Sequence, residues 1–220
     1  MERPASSNDP LKILQLNLAG AKAATNQLHL TAITIKPDVI LVQELYNNNY
    51  GIPQTWKTFS SSSQKAAILI PSSHSKPALL ATKVNMVELK ILTSSFPITI
   101  ISAYSSPAQN VHSTLQEIQE IISSLPEEKI ITGSDINGHN TLWAYRSNDN
   151  RGKDILDFIL ANNLNVINKP DDLPTFQRSN SVGWPDLTLC FQSLIYSSIN
   201  WEVLEEISLS DHRYIRTTIA

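Results

Sequence analysis

The sequence predicts an α/β fold in which mixed β-sheets are covered by helices on their outer faces. Apolar runs of strand length recur from one end of the chain to the other, segments of helical period lie between some of them, and several strand-to-strand connections are too short to hold a helix. With 220 residues, 41% of them hydrophobic and 17% charged, the chain is long enough for a substantial core. Its 6 glycines and 12 prolines exclude a low-complexity composition.

Residues 1–10 (MERPASSNDP) are polar and carry two prolines, which reads as a disordered lead-in, so the folded unit is expected over 11–220 as one domain. Strands are expected at 13–18 and 39–42. Leu28, Ala32 and Ile35 place a helix between them over about 25–35, and Lys36-Pro37-Asp38 closes it. The Ser60 to Ser63 run is expected to be one exposed loop or turn, followed by strands at 66–70, 84–91 and 98–104. The helix expected over 111–125 is the most distinct, because Leu115, Ile118, Ile121, Ile122 and Leu125 fall on one stripe. Ser113 with Gln116 fits a capping box at its start, and Pro126 stops it. A strand at 130–132, a helix at 152–162 burying Ile155, Phe158 and Ile159, and strands at 166–168, 187–191 and 215–219 complete the order.

Composition excludes several function classes. A lone cysteine, Cys190, cannot form an intramolecular disulfide or a Cys-rich zinc site. Lys+Arg 17 against Asp+Glu 20 gives a net charge of −3, so any polyanion must be held by a local patch. No apolar run approaches the roughly 20 residues that cross a bilayer, and residues 1–10 lack the apolar centre of a secretory signal, so a soluble intracellular protein is expected.

Polar residues gather at the strand ends. Asn17 follows the first strand, Gln43-Glu44 the second and Ala103-Tyr104 the fifth, and Ile130-Ile131-Thr132 opens into Gly133-Ser134-Asp135-Ile136-Asn137-Gly138-His139-Asn140. Asp186 begins a late strand, and Ser210-Asp211-His212 precedes the last one. Singly, each has a plain explanation: Glu44 as the first solvated loop residue, Asp135 and Asn137 as Asx turns, Asp211-His212 as a salt bridge. Together they supply acids for a hard divalent cation, an Asp to activate water, amides to orient it and a His to donate to a phosphoryl oxygen, an inventory suited to metal-assisted phosphodiester hydrolysis.

In that order and rough spacing, these motifs resemble the endonuclease/exonuclease/phosphatase superfamily, which includes deoxyribonuclease I and the major abasic-site endonuclease. The segment with Asn137-Gly138-His139-Asn140, Leu142-Trp143, Asn148-Asp149-Asn150-Arg151-Gly152, Pro174-Thr175-Phe176 and Asp186-Leu187-Thr188-Leu189 is similar to the endonuclease domain of arthropod-type non-LTR retrotransposons. The resemblance implies a four-layer α/β sandwich, two mixed β-sheets packed face to face with helices outside. It also implies an excised part of a polyprotein that continues into a reverse transcriptase, acting in the nucleus on double-stranded DNA and monomeric as an isolated domain.

Carried over by the same resemblance, Glu44 coordinates Mg²⁺ or Mn²⁺, Asn17 positions the metal or the attacking water, and Asp211 lies beside the metal. Asp135 orients and deprotonates the water with help from Asn137. Tyr104 and His212 stabilise the phosphate, Asp186 fixes the imidazole, and Thr175 touches the DNA backbone. Ala19 stands where abasic-site enzymes carry an Asp, which weighs against that activity; it and other phosphoesterase activities are the nearer alternative, a non-catalytic DNA-binding module the farther one. Arg146, Arg151 and Lys153 form the densest basic stretch, and in a chain of net −3 Arg146 and Arg151 are favoured as phosphate contacts. His139 is divided between loop shaping and DNA contact. His29 and His112 are expected in solvent or at a cap, as is His74, which lies outside the residues the structure describes.

Overall fold

The computed structural model describes residues 9–47, 50–71, 76–93, 95–126 and 128–220, so most of the expected lead-in lies outside it. The first sheet grows around β1 (Leu11–Asn17), which runs into α1 (Lys22–Ile35) and returns as β2 (Val39–Gln43), parallel to β1. A helical crossover of this length is what a parallel pair requires. The chain then folds antiparallel through β3 (Lys57–Ser60) and β4 (Ala66–Ile70). Next come β5 (Ala78–Thr82), β6 (Met86–Leu92) and β7 (Pro97–Tyr104), which start the second sheet. After α2 (Val111–Ser124), β8 (Ile130–Asp135) lies parallel to β7. Beyond α3 (Asn150–Ala161) and β9 (Leu164–Val166), a separate hairpin forms from β10 (Phe176–Arg178) and β11 (Ser181–Gly183). The chain ends with β12 (Asp186–Phe191), the short α4 (Gln192–Ile195), β13 (Ile199–Val203) and β14 (Ile215–Ile219).

Two six-stranded mixed sheets result, ordered β13-β14-β1-β2-β4-β3 and β5-β6-β7-β8-β12-β9. Their facing sides share a core of Ile13, Leu41, Ile68, Val87, Ile100, Ile131 and Cys190. Leu28 and Ala32 of α1 cover the other side of the first sheet against Leu14 and Ile40. Ile118 and Ile121 of α2, with Ile155 and Ile159 of α3, cover the second against Ile101 and Leu187. The expected four layers are present, and each fully buried Leu or Ile in them contributes about 1.5–3 kcal/mol relative to exposure.

Several local expectations change. The α2 N-cap is Asn110, whose side chain accepts from the His112 backbone N–H, while Ser113 donates its hydroxyl back to the Asn110 carbonyl, so no Ser113-Gln116 box forms. Ser61 is fully buried rather than exposed, because its hydroxyl accepts from the Ala66 N–H and closes the β3–β4 turn. β3, β5, β13 and the β10–β11 hairpin were not expected: β3, β5 and the hairpin are edge or short strands, largely half-exposed or exposed, whose residues show little apolar alternation, whereas Ile199, Trp201 and Val203 of β13 do alternate with polar residues, a strand signal missing from the expected order.

Strand alternation sets what enters the seam between the sheets. Along β1 these are Ile13, Gln15 and Asn17; on β2, Leu41 and Gln43; on β7, Ile100, Ser102 and Tyr104; on β8, Ile131, Gly133 and Asp135; and on β12, in the opposite direction, Cys190, Thr188 and Asp186. The seam thus passes from an apolar layer, through a layer of amides, hydroxyls and one glycine, to acids at its rim. Gly133 marks a close approach: a Cβ there would meet Leu41 Cδ1 at 2.5 Å and Gln15 Oε1 at 2.6 Å.

Candidate active site

Three neighbouring strands bring Tyr104, Asp135 and Asp186 into one row. Tyr104 pairs with Asp135 in the parallel β7–β8 ladder, and Asp135 pairs with Asp186 in the antiparallel β8–β12 ladder. Asn17 reaches them from the first sheet. Its Nδ2 donates to Asp135 Oδ2 at 2.6 Å and to Glu44 Oε2 at 3.1 Å, while its Oδ1 accepts from the Ala19 N–H at 2.7 Å. Asn137 turns back to donate to Asp135 Oδ1 at 2.7 Å, so both carboxylate oxygens of Asp135 are held by amides.

The backbone at this rim is constrained. Ala19, Glu44 and Asn137 all adopt left-handed φ values, 50°, 48° and 52°, a conformation tolerable for Asn but unfavourable for Ala and Glu. The Leu18 N–H donates to the Gln43 carbonyl and the Gly20 N–H to the Glu44 carbonyl, and these bonds hold the two loops together.

His212 arrives on the segment before β14 and is 6% exposed. Its Nδ1 lies 2.9 Å from Asp186 Oδ2 and its Nε2 4.0 Å from Asp135 Oδ2, with the Phe176 ring edge-on at 5.1 Å. Burial opposes its protonation, yet the charge and hydrogen bond of Asp186, reinforced by Asp135, carry the imidazole up to about 9. Burial and then the Asp186 charge push the Asp135 carboxyl well above its ordinary range. Burial, followed by the Glu44 carboxylate, likewise keeps the Tyr104 phenol protonated. A basic carboxyl and a cationic imidazole side by side are suited to proton transfer and to stabilising an anion.

The donor set fits a divalent metal. Asp135 and Asp186 flank the His212 imidazole, Glu44 is joined to Asp135 through the Asn17 amide, and Asp186 Oδ1 is buried with no hydrogen-bond partner. Ligand atoms of Asp135, Asp186 and His212 all lie within 4.8 Å of one another. Hard oxygen donors of this kind favour Mg²⁺ or Mn²⁺.

The remaining expected residues are placed differently. Asp211 directs its half-exposed carboxylate toward Arg178 Nε, 3.6 Å away. Thr175 is fully enclosed, with its hydroxyl unpartnered, and this leaves it no face toward DNA. Arg151, expected on DNA phosphates, donates to the Ile136 and Gln109 carbonyls at 2.6 Å each and to the carbonyl and hydroxyl of Ser105 at 3.0 and 2.6 Å. Four of its five N–H donors therefore strap the loops after β7 and β8. Arg146 is exposed. His139 is exposed and stacks on Tyr145 at 4.0 Å, and Tyr145 meets Trp184 edge-on at 5.6 Å.

Other residues had no assigned part in the sequence. Ser210 donates to the Asn17 carbonyl at 2.7 Å and accepts from the His212 N–H, which couples the last loop to the first. Gln15 and Gln43 stand directly beneath the site; their signal was two amides on the inward period of otherwise apolar strands.

Residues 98–216 match a protein family described as endonuclease-reverse transcriptase. No curated protein matches the chain. Among solved structures, the endonuclease domain of TRAS1, a telomere-specific non-LTR retrotransposon, superposes with a TM-score of 0.88 at 29% identity, covering 96% of this chain and 98% of that one. The AP endonuclease LMAP from Leishmania major superposes with a TM-score of 0.74 at 14% identity, over 96% of this chain and 88% of that one. An AP endonuclease from Archaeoglobus fulgidus gives 0.66 at 16% identity, over 95% and 99%. The last two likenesses are of fold alone.

Proposed function

The chain belongs to the endonuclease-reverse transcriptase family, and on that premise we propose that it nicks one strand of double-stranded DNA in a divalent-metal-dependent hydrolysis and leaves a 3′-hydroxyl that primes reverse transcription of a non-LTR retrotransposon. Residues 11–220 form the catalytic unit of this proposal. Its partner is a reverse transcriptase domain of the same polyprotein, its place of action the nucleus, and the isolated domain is a monomer. The observation that carries it is the buried pair of His212 and Asp186, with Asp135 4.0 Å from the other imidazole nitrogen.

Asp135 takes a proton from the water that attacks phosphorus in line. The amides of Asn17 and Asn137 fix its two oxygens, so the carboxyl has one orientation in which to do so. The P–O3′ bond breaks as the water oxygen bonds to phosphorus, and the departing O3′ takes a proton from solvent, giving a 5′-phosphate and a 3′-hydroxyl. His212, oriented through Nδ1 by Asp186, presents Nε2 to the phosphoryl oxygens as their charge grows, and Tyr104 donates its hydroxyl to the same group.

Mg²⁺ or Mn²⁺ would be held by Glu44 beside Asn17, with Asp211 close by in the chain to His212. Bound there it would neutralise phosphoryl charge and lower the pKa of water.

Supercoiled plasmid tests the proposal. With Mg²⁺ it should convert to nicked circles that DNA polymerase extends without prior end repair; EDTA or Glu44→Gln should stop conversion while DNA binding persists. Plasmid left supercoiled by the wild type, or nicks that need 3′ repair before extension, would overturn it. Conversion by Glu44→Gln within a few-fold of wild type would remove Glu44 from the metal.

A further inference from the structure

The two halves of the site sit on different sheets. Asn17 and Glu44 follow β1 and β2 of the first; Tyr104, Asp135 and Asp186 belong to β7, β8 and β12 of the second. Most of what joins the facing sheets is an apolar core, and apolar contact is strong but nondirectional. It holds the sheets together without fixing their relative position to the fraction of an ångström that in-line attack requires.

Directional contacts occur one layer below the acids. Gln43, fully buried, donates from Nε2 to Ser102 Oγ at 3.2 Å and toward the Gly133 carbonyl at 3.5 Å. Ser102 Oγ lies 3.4 Å from the Val42 carbonyl, and Gln15 Nε2 reaches the Ser134 carbonyl at 3.4 Å. All of these cross from one sheet to the other, at the point where Gly133 permits close approach. Gln43 Oε1 is buried and has no partner. A half-satisfied buried amide is a poor choice for stability, since an apolar side chain of equal volume fills the same space without an unpaired oxygen. What the amide adds is direction.

We propose that Gln43, through Ser102 and Gly133 and with Gln15 beside it, is a positioning residue that sets the register between the sheets and so aligns the Asn17–Glu44 half of the site with the Asp135–Asp186–His212 half. This rests on the nicking activity proposed above. Gln43 also immediately precedes Glu44 and pairs with Asn17 across the β1–β2 ladder, so a shift of its backbone reaches both residues at once.

Gln43→Met keeps volume and removes the donor. Expected are a melting temperature equal to or above wild type, a DNA dissociation constant measured in EDTA within threefold, and a single-turnover nicking rate at saturating DNA reduced about 10- to 100-fold, the scale of a misplacement near 1 Å. Ser102→Ala, which removes the partner on the other sheet, should lower the rate in the same direction, and the double variant should lose little more than Gln43→Met alone. A Gln43→Met rate within threefold of wild type overturns the proposal, as does a loss that follows only the unfolded fraction. A crystal structure of Gln43→Met gives a reading independent of activity: the Asn17 Nδ2 to Asp135 Oδ2 contact should lengthen beyond hydrogen-bond reach, and an unchanged contact overturns the proposal even if the wild type proves not to nick DNA.

Discussion

Asn17, on one sheet, donates its amide to Asp135 on the other at 2.6 Å, across 118 residues of sequence. The same nitrogen reaches Glu44 at 3.1 Å, so one side chain stands between the two acids assigned here to water and to metal. Asn17→Ala should leave both carboxyl groups without that donor and free to turn. The single-turnover nicking rate should fall about 10²- to 10³-fold, the loss typical of one positioned donor in an active site, while the domain stays folded at assay temperature. A rate within threefold of wild type would show that Asn137 alone suffices to orient Asp135.

His212→Ala should lower the single-turnover rate about 10²- to 10⁴-fold with little change in DNA affinity. Asp186→Asn should act in the same direction, and the double variant should be far from additive, because Asp186 works through the imidazole it holds. Rates and melting temperatures for all three decide the matter: a large loss of stability with a near-normal rate would assign the pair to structure.

Two neighbouring arginines should separate by salt dependence. Arg146→Ala removes an exposed cation and should reduce the slope of log affinity against log salt by about one unit. Arg151→Ala should leave that slope nearly unchanged and instead lower stability by about 2 kcal/mol, since its guanidinium satisfies carbonyls of two loops. Equal effects of the two on the salt slope would return Arg151 to the DNA surface.

Glu88 gives a pH signature remote from the site. It is buried in β6 with Oε1 unpartnered, and burial, then the Glu128 charge, push it up to about 7. A carboxyl raised in the folded state favours folding fully below its unfolded value near 4.5, and that advantage is lost as pH rises through about 7. Stability should therefore decline from pH 4.5 to 7, and Glu88→Gln should flatten the decline, gaining on the order of 1 kcal/mol at pH 8. His212, raised to about 9, loses its contribution over a higher window, 6.5 to 9, and does so in both proteins. Parallel pH profiles for wild type and Glu88→Gln would refute the assignment.

The sequence by itself determined the α/β class with mixed sheets and the polar residues at strand ends, and its resemblance to a known family implied the two-sheet architecture. Asn17, Tyr104, Asp135 and Asp186 stand at the ends of apolar runs, a local feature legible without coordinates, whereas the strands are buried on both faces and do not themselves reveal which side faces the seam. The tertiary structure decided which of those groups meet. The bond from Asn17 to Asp135 spans 118 residues and that from Gln43 to Ser102 spans 59; each depends on how far one sheet is displaced along the other, which no strand encodes alone. Basic residues were least legible, because a guanidinium is equally at home on a phosphate or on backbone carbonyls. Arg151 lies beside loop carbonyls that α3 brings within reach, and there four hydrogen bonds inside the protein replace the DNA contact that composition suggested.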